Sequence, residues 1–276
     1  MGEPRLTELL EFAERLAVDA GDLVPPAQAA RVVSRKRDNS VVTETDHALQ
    51  ARLLSAIAAA YPAHAVLAEE TITSPDLHAG VGTARFCWVI DPLDGTRNFV
   101  GTFPCFATAI AVLDRGVPVV AVVREHNWKT TYSAVKGGGA TLEGRRVRAV
   151  DPPDERDVLI GVPSTKDELS VRMVRHWAAT RGLILRNLGV SNVHLAMVAS
   201  GALSGAFGVR AKIWDVAPGM LLVQEAGGVI TSPTGGTLTP FDLSAEPERD
   251  VPFVSGAPRT YARLAESCRG ADTSPP

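Results

Sequence analysis

Residues Trp88 to Phe99 read W-V-I-D-P-L-D-G-T-R-N-F, and this stretch decides fold class and chemistry together. The apolar run Phe86 to Ile90 predicts a buried strand that delivers Asp91 at its end. Pro92 has no N–H to donate, so pairing is expected to stop there, and Asp94-Gly95 is a turn dipeptide. Two carboxylates three residues apart on a tight loop, followed by Gly95 and the Thr96 hydroxyl, suit a hard, oxygen-preferring cation beside an exposed backbone amide. A strand end is also where ligand sites form in layered α/β proteins.

Outward from the motif, Leu6, Leu9, Leu10, Ala13, Leu16, Ala17 and Ala20 share one helical face, with Gly21 as the expected stop. A polar linker, Ser34 to Asn39, leads to Val41-Val42-Thr43. Asp46 then opens a second helix with Leu49, Leu53, Ile57 and Ala60 on one side, ending before Pro62. Ala65 to Ala68 reads as a short strand closing on Glu69-Glu70. Beyond the motif, Phe106 to Leu113 and Val117 to Val123 flank Asp114-Arg115-Gly116, a hairpin signal. Trp128 to Val135 continues this meander into a turn at Gly137-Gly138-Gly139.

The character changes near Asp151-Pro152-Pro153-Asp154. This predicts an N-terminal α+β subdomain, 1–150, carrying the main motif, and a C-terminal α/β subdomain, 151–276, completing the site. In the second part, helix (Glu168 to Arg181), strand (Leu183 to Arg186), helix (Asn192 to Ser200) and strand (Ser204 to Phe207) alternate. A helix from Asp215 to Ala226 ends at Gly227-Gly228. The strand Pro252 to Ser255 and a short final helix precede a Gly/Ser/Pro-rich tail. Hairpins mixed with α/β alternation indicate a layered α+β fold rather than a purely doubly wound sheet.

Bulk properties narrow the function. With 45% hydrophobic and 21% charged residues, the 276-residue chain has the composition of a soluble globular enzyme. A net charge of −3 argues against a broad nucleic-acid surface. No apolar stretch approaches the roughly 20 residues of a membrane span, and the acidic, amphipathic N-terminus is unlike a secretory signal. Cys87, Cys105 and Cys268 are odd in number and scattered, as expected of reduced thiols in a cytoplasmic protein.

Glu69, Asp91, Asp94 and Asp215 are the candidate acids: Glu69 follows a strand, Asp91 ends one, Asp94 sits in its turn and Asp215 lies at a helix start. Converging without cations they repel one another, and each pKa rises. A divalent metal removes that penalty. Mg²⁺ favours a few carboxylates plus water and phosphate oxygens, and two such ions clamp the attacking and leaving oxygens of a phosphoryl displacement. Singly, each acid has a plainer reading: Asp94-Gly95 as a turn, Glu69-Glu70 as a solvated strand end, Asp215 and Asp46 as helix caps. Their joint occurrence outweighs those readings. Gly137 to Gly139 lacks the Lys-Ser/Thr of a phosphate loop and reads as a hairpin turn. No H-x-x-x-H, no C-x-x-C and no visible nucleophile arrangement around Ser164 or Ser191 points elsewhere.

These motifs together resemble the inositol monophosphatase family of Mg²⁺-dependent, lithium-sensitive phosphatases over nearly the whole chain. D-P-L-D-G-T (Asp91 to Thr96) resembles the central signature. W-D-V-A-P-G (Trp214 to Gly219) with E-A-G-G (Glu225 to Gly228) resembles the second, and V-T-E-T-D (Val42 to Asp46) and A-E-E (Ala68 to Glu70) two shorter ones. The resemblance implies an αβαβα layered sandwich of the inositol monophosphatase / fructose-1,6-bisphosphatase type, usually a homodimer. It implies two or three Mg²⁺ ions held by Glu69, Asp91, the Leu93 carbonyl, Asp94 and Asp215. Thr96 and Asp46 would activate the attacking water, with Glu69 assisting through a more loosely held ion. Gly95 and Thr96 amides would hold a phosphate oxygen, while Asp94, Asp215, Gly189, Val190 and Ser191 would contact substrate.

Two departures stand out. Ala68 replaces a usual Gly, and Gly208 stands where inositol phosphatases carry a substrate-binding Glu, which puts inositol specificity in doubt. Arg97, Arg210 and Lys212 fall near the expected mouth, either as contacts for a second anionic group or as solvent-facing charges. The implied activity is hydrolysis of a small polyol or sugar phosphate, with histidinol phosphate or a nucleotide 3′-phosphate as alternatives, and with neither nucleic acid nor membrane as partner. A haloacid dehalogenase-like phosphatase fits less well, because its D-x-D-G-T has one residue between the acids where this chain has Pro92 and Leu93. A non-catalytic metal-binding regulatory module is the third reading; the Thr96–Asp46 pair argues against it.

Overall fold

Helix α1 (Leu6–Leu23) buries Leu9, Ala13, Leu16, Ala17 and Ala20, the stripe its periodicity demands. It does not stop at Gly21. The glycine is there for packing: a Cβ would lie 3.0 Å from His126 Nδ1. The computed structural model describes residues 5–26, 32–35, 41–71, 80–164, 167–243 and 249–271. Residues 36–39 of the expected linker and 272–276 of the expected tail lie outside them.

Strands β1 (Val32–Arg35) and β2 (Val41–Thr43) form a small antiparallel pair that leads into α2 (Glu44–Ala60). This helix begins two residues before Asp46. Thr43 is its N-cap, extended at φ −114° and ψ 165°, and Asp46 reaches back to the Thr43 N–H at 2.8 Å.

The larger sheet runs β3 (Ala65–Ala68), β4 (Phe86–Asp94), β5 (Ala107–Asp114), β6 (Val117–Glu125), β7 (Thr130–Val135), β8 (Gly139–Leu142) and β9 (Arg145–Arg146), each beside the next. Only β3 and β4 are parallel; β5 to β7 are the predicted meander, with β5 and β6 joined through Arg115-Gly116 at φ 48° and 79°, and β8 and β9 extend it past the expected turn at Gly137 to Gly139. Pro92 does not end the pairing. Asp91 pairs with Ala109 and Asp94 with Ala107, so Pro92 and Leu93 bulge out opposite Thr108. The bulge takes the missing N–H out of the ladder and lets β4 carry both acids.

After the five-residue helix α3 (Thr96–Val100), a second sheet is built from β10 (Val158–Gly161), β11 (Leu183–Arg186), β12 (Gly205–Gly208), β13 (Val229–Thr231) and β14 (Phe253–Gly256), in the order β11-β10-β12-β14-β13. Strand β13, at three residues, is too short to show a period, and neither it nor β10 is among the expected strands. Helices α4 (Glu168–Ala179), α5 (Ser191–Ala199), α6 (Ile213–Glu225) and α7 (Pro258–Ala271) complete the chain.

The layers follow from what each face buries. Helices α1 and α2 cover one side of the large sheet, enclosing Leu9, Leu49, Trp88, Ile90 and Ile110. Helices α5 and α6 fill the space on its other side and pack against the second sheet. Helices α4 and α7 close the far face around Trp177 and Phe207. The result is the layered α+β sandwich. No helix among the described residues is long and apolar enough to cross a membrane.

The middle layer is unusually close. A Cβ on Gly219 of α6 would lie 2.4 Å from Leu195 Cβ of α5. Gly219→Val is therefore expected to wedge the two helices apart and destabilise the chain by about 1–3 kcal/mol, read as a lower urea midpoint.

Candidate active site

The β4 bulge and the first turn of α6 bring three acids together. One carboxylate oxygen each from Asp91, Asp94 and Asp215 lies within 4.8 Å of the others. Asp91 and Asp94 are buried, and Asp215 keeps some exposure. Glu69 opens a 3-10 turn (Glu69–Thr71) at the end of β3. It lies outside the 4.8 Å set, yet its charge acts on both Asp94 and Asp215. The Asp94 carboxyl is raised to about 7, by burial first and by the Glu69 charge, against the opposing pull of donors from Asn192 and Ser191. Burial raises Asp215 well above the usual carboxylate range, with repulsion from Asp94 and Glu69 adding to it and Lys212 opposing.

The acids are held by amides. Leu93 N–H donates to Asp91 Oδ1 at 3.0 Å, and Lys212 N–H to Asp215 Oδ2 at 2.6 Å. Helix α5 has no side-chain cap at Val190; Asp94, remote in sequence, takes that role by accepting from Asn192 N–H at 3.0 Å.

Asn192 is the site residue the sequence reading missed. Pro218 lies inside α6 and has no N–H for the carbonyl of Trp214, four residues back. Asn192 fills that gap: one Nδ2 hydrogen goes to Trp214 O and the other to Asp94 Oδ2, both at 3.0 Å. Its Oδ1 accepts from Gly219 N–H at 3.2 Å. Both amide hydrogens and the amide oxygen are engaged, so Asn192 ties the bulge acid to the helix that carries Asp215. The A-P-G sequence was a visible signal of an unpaired carbonyl, but nothing in the sequence named its partner.

Thr96 and Asp46 do meet. Thr96 Oγ lies 2.9 Å from Asp46 Oδ1 and 3.0 Å from the Leu93 carbonyl. Its single proton serves one acceptor at a time, and the charged carboxylate makes the stronger bond. Asp46 Oδ2 is held by the Thr43 N–H and hydroxyl, so the carboxylate is fixed at both ends.

Gly95, at φ 96°, has no room for a side chain, since a Cβ would fall 2.8 Å from Val190 Cγ2. That contact sets Gly189, Val190 and Ser191 beside the motif. Asn98 reinforces it by donating to Cys105 O at 2.8 Å and Leu188 O at 2.6 Å. At Gly208 a Cβ would meet the buried Phe253 ring at 2.5 Å, so this position presents an aromatic edge and has no space for an acid. Lys212 and Arg210 pair with Asp250, at 2.7 Å and 3.9 Å, and Arg97 is exposed. The amides of Gly137 and Gly139 are taken by the Glu225 carboxylate, which pins the hairpin turn to the end of α6.

An all-oxygen, acid-rich donor set with raised proton affinity fits a hard divalent cation such as Mg²⁺.

Comparison with known proteins agrees with this geometry. Residues 5–269 match the model of the inositol monophosphatase family. "Nus factor SuhB" of Salmonella typhimurium is 35% identical over 239 residues, 83% of this chain and 86% of that protein. "Phosphatase IMPL1, chloroplastic" of Arabidopsis thaliana is 33% identical over 249 residues, covering 86% of this chain and 65% of that one. Among solved structures, the extragenic suppressor protein suhB of Bartonella henselae superposes with a TM-score of 0.81 at 26% identity, over 95% of this chain and 98% of that one.

A raised carboxyl stabilises the metal-free fold fully only below its unfolded pKa near 4, and that stability is lost as pH climbs through about 7. Asp94→Asn, which keeps the Asn192 bonds without the charge, is therefore expected to melt above the parent at pH 8 in chelator, by at least about 2–4 °C. The gap should close as pH falls toward 4. Mg²⁺ should raise the melting temperature of the parent and leave the variant unchanged.

Proposed function

The chain belongs to the inositol monophosphatase family, and we propose that it is a Mg²⁺-dependent phosphomonoesterase acting on a small polyol or sugar phosphate. The observation that carries this is the joining of an acid cluster to the Thr96–Asp46 bond across one motif. Bound by Glu69, Asp91, the Leu93 carbonyl, Asp94 and Asp215, two or three Mg²⁺ ions would supply Lewis acidity toward phosphoryl oxygens and a lowered water pKa.

The chain's own residues do the rest. Asp46 draws the Thr96 proton, which leaves the Thr96 oxygen as an acceptor toward a water on its open side. As that water attacks phosphorus in line, its proton passes to Thr96 Oγ and the Thr96 proton to Asp46. The P–O bond to the polyol breaks, the leaving alkoxide takes a proton from solvent water, Asp46 returns its proton to solvent, and inorganic phosphate leaves with no phosphoenzyme. The Gly95 and Thr96 amides hold a phosphoryl oxygen. Gly189, Val190 and Ser191 face the polyol, whose specificity is looser than for inositol because Gly208 and Phe253 offer no carboxylate to its hydroxyls. Lithium sensitivity, a homodimer and a cytoplasmic location belong to the same reading.

A binding module that keeps the acids for structure is the second reading, and the name of the Salmonella relative favours it. A structural site has no use for the Thr96–Asp46 pair. The two separate on a panel of phosphomonoesters assayed with Mg²⁺. We expect the parent to release phosphate, Asp91→Asn to abolish turnover, and Thr96→Ala to lower kcat by about 10²-fold or more. No release from any substrate by the parent would leave the binding module standing.

A further inference from the structure

We propose that Thr108 and His126 form a strut that positions the metal-binding bulge, through the peptide unit joining Pro92 to Leu93. This inference rests on the reading of the acid cluster as a metal centre.

The bulge leaves Pro92 and Leu93 without ladder partners, and Thr108 is the residue opposite them. Its hydroxyl donates to the Pro92 carbonyl at 2.8 Å, while the N–H of the same peptide unit donates to Asp91 Oδ1 at 3.0 Å. A peptide is planar, so fixing its carbonyl fixes where its N–H points. Thr108 thus aims the donor that holds Asp91 Oδ1, and with it the carboxylate that meets Asp94 and Asp215.

His126 sets the hydroxyl. Its Nε2 lies 3.0 Å from Thr108 Oγ. Because that hydroxyl spends its proton on Pro92, it accepts from His126, which places the imidazole proton on Nε2 and leaves Nδ1 bare. Nδ1 is indeed buried without a hydrogen-bond partner, packed where Gly21 lacks a Cβ. Burial, with the nearby Arg124 charge, lowers the imidazole pKa to about 4, so the ring is neutral and one tautomer is held. The chain runs from Gly21 through His126, Thr108 and the Pro92 carbonyl to Asp91. The hydrogen bonds described for Thr108 and His126 run to Pro92 and to each other, so both act as positioning residues.

The test is Mg²⁺ titration by calorimetry, with no substrate present, on the parent, Thr108→Val, Thr108→Ser and His126→Leu. Valine keeps the shape of threonine and removes the hydroxyl; serine restores it. The expected result is Mg²⁺ affinity about tenfold weaker in Thr108→Val, within about twofold of the parent in Thr108→Ser, and intermediate in His126→Leu. With substrate, the Mg²⁺ concentration for half-maximal activity should shift in parallel, while kcat at saturating Mg²⁺ changes little. If Thr108→Val does not fold, the Thr108→Ser and His126→Leu titrations decide. Equal affinity in every folded variant overturns the strut and leaves the phosphatase reading intact. A parent that takes up no Mg²⁺ overturns both.

Discussion

Helices α2, α5 and α6 all begin at the acid site, and their first-turn amides make it tolerable to bury so many carboxylates together. Asp46 bonds the start of α2, Asp94 the start of α5 and Asp215 the start of α6. Each first turn presents N–H groups with no partner inside its own helix, and the aligned peptide dipoles favour negative charge there. Charge-assisted bonds of this kind contribute roughly 1.5–3 kcal/mol each. They do not fully offset desolvation, since Asp94 still has its carboxyl raised to about 7 and Asp215 is held well above the usual carboxylate range. The residual imbalance is what a divalent cation would relieve.

Everything else serves to bring those three helix starts to one place. The α5–α6 layer is pressed together at Gly219 and cross-linked by Asn192, which repairs the carbonyl that Pro218 leaves open. On the other side, the bulge in β4 projects two acids from one strand without ending the sheet. The two prolines are accommodated differently: Asn192 donates to the Trp214 carbonyl that Pro218 leaves open, whereas Pro92 sits in the bulge and its own carbonyl accepts from Thr108.

Much of this was legible in the chain. The twelve residues from Trp88 mark the strand, both acids and the following turn, and the hairpins after them were readable because alternation and Asp-Arg-Gly turn chemistry agree. The α1 and α2 stripes were equally plain. What escaped was of two kinds. Strand β13 is too short to carry a period, and the strand character of β10 and β13 comes from neighbours distant in sequence. The helix starts were misplaced at Asp46 and Asp215 because an acid near a helix beginning reads as the cap; each is in fact a third-position acid reaching back, to Thr43 and Lys212. Asn192 and Thr108 were invisible for a deeper reason. An uncharged polar residue acquires meaning only from an unpaired group that the fold sets opposite it.

The doubling of duties at Asp46 and Asp215 bears on how homologous chains should be compared. An acid that starts a helix is under selection for folding whether or not any ester is ever cleaved. A descendant that abandoned hydrolysis would keep these two positions for many generations, and an alignment scoring only acids would misjudge it as an enzyme. Thr96 caps no helix, so its hydroxyl is the more faithful witness to chemistry: where it has drifted to an apolar residue while the acids persist, the scaffold has outlived the reaction.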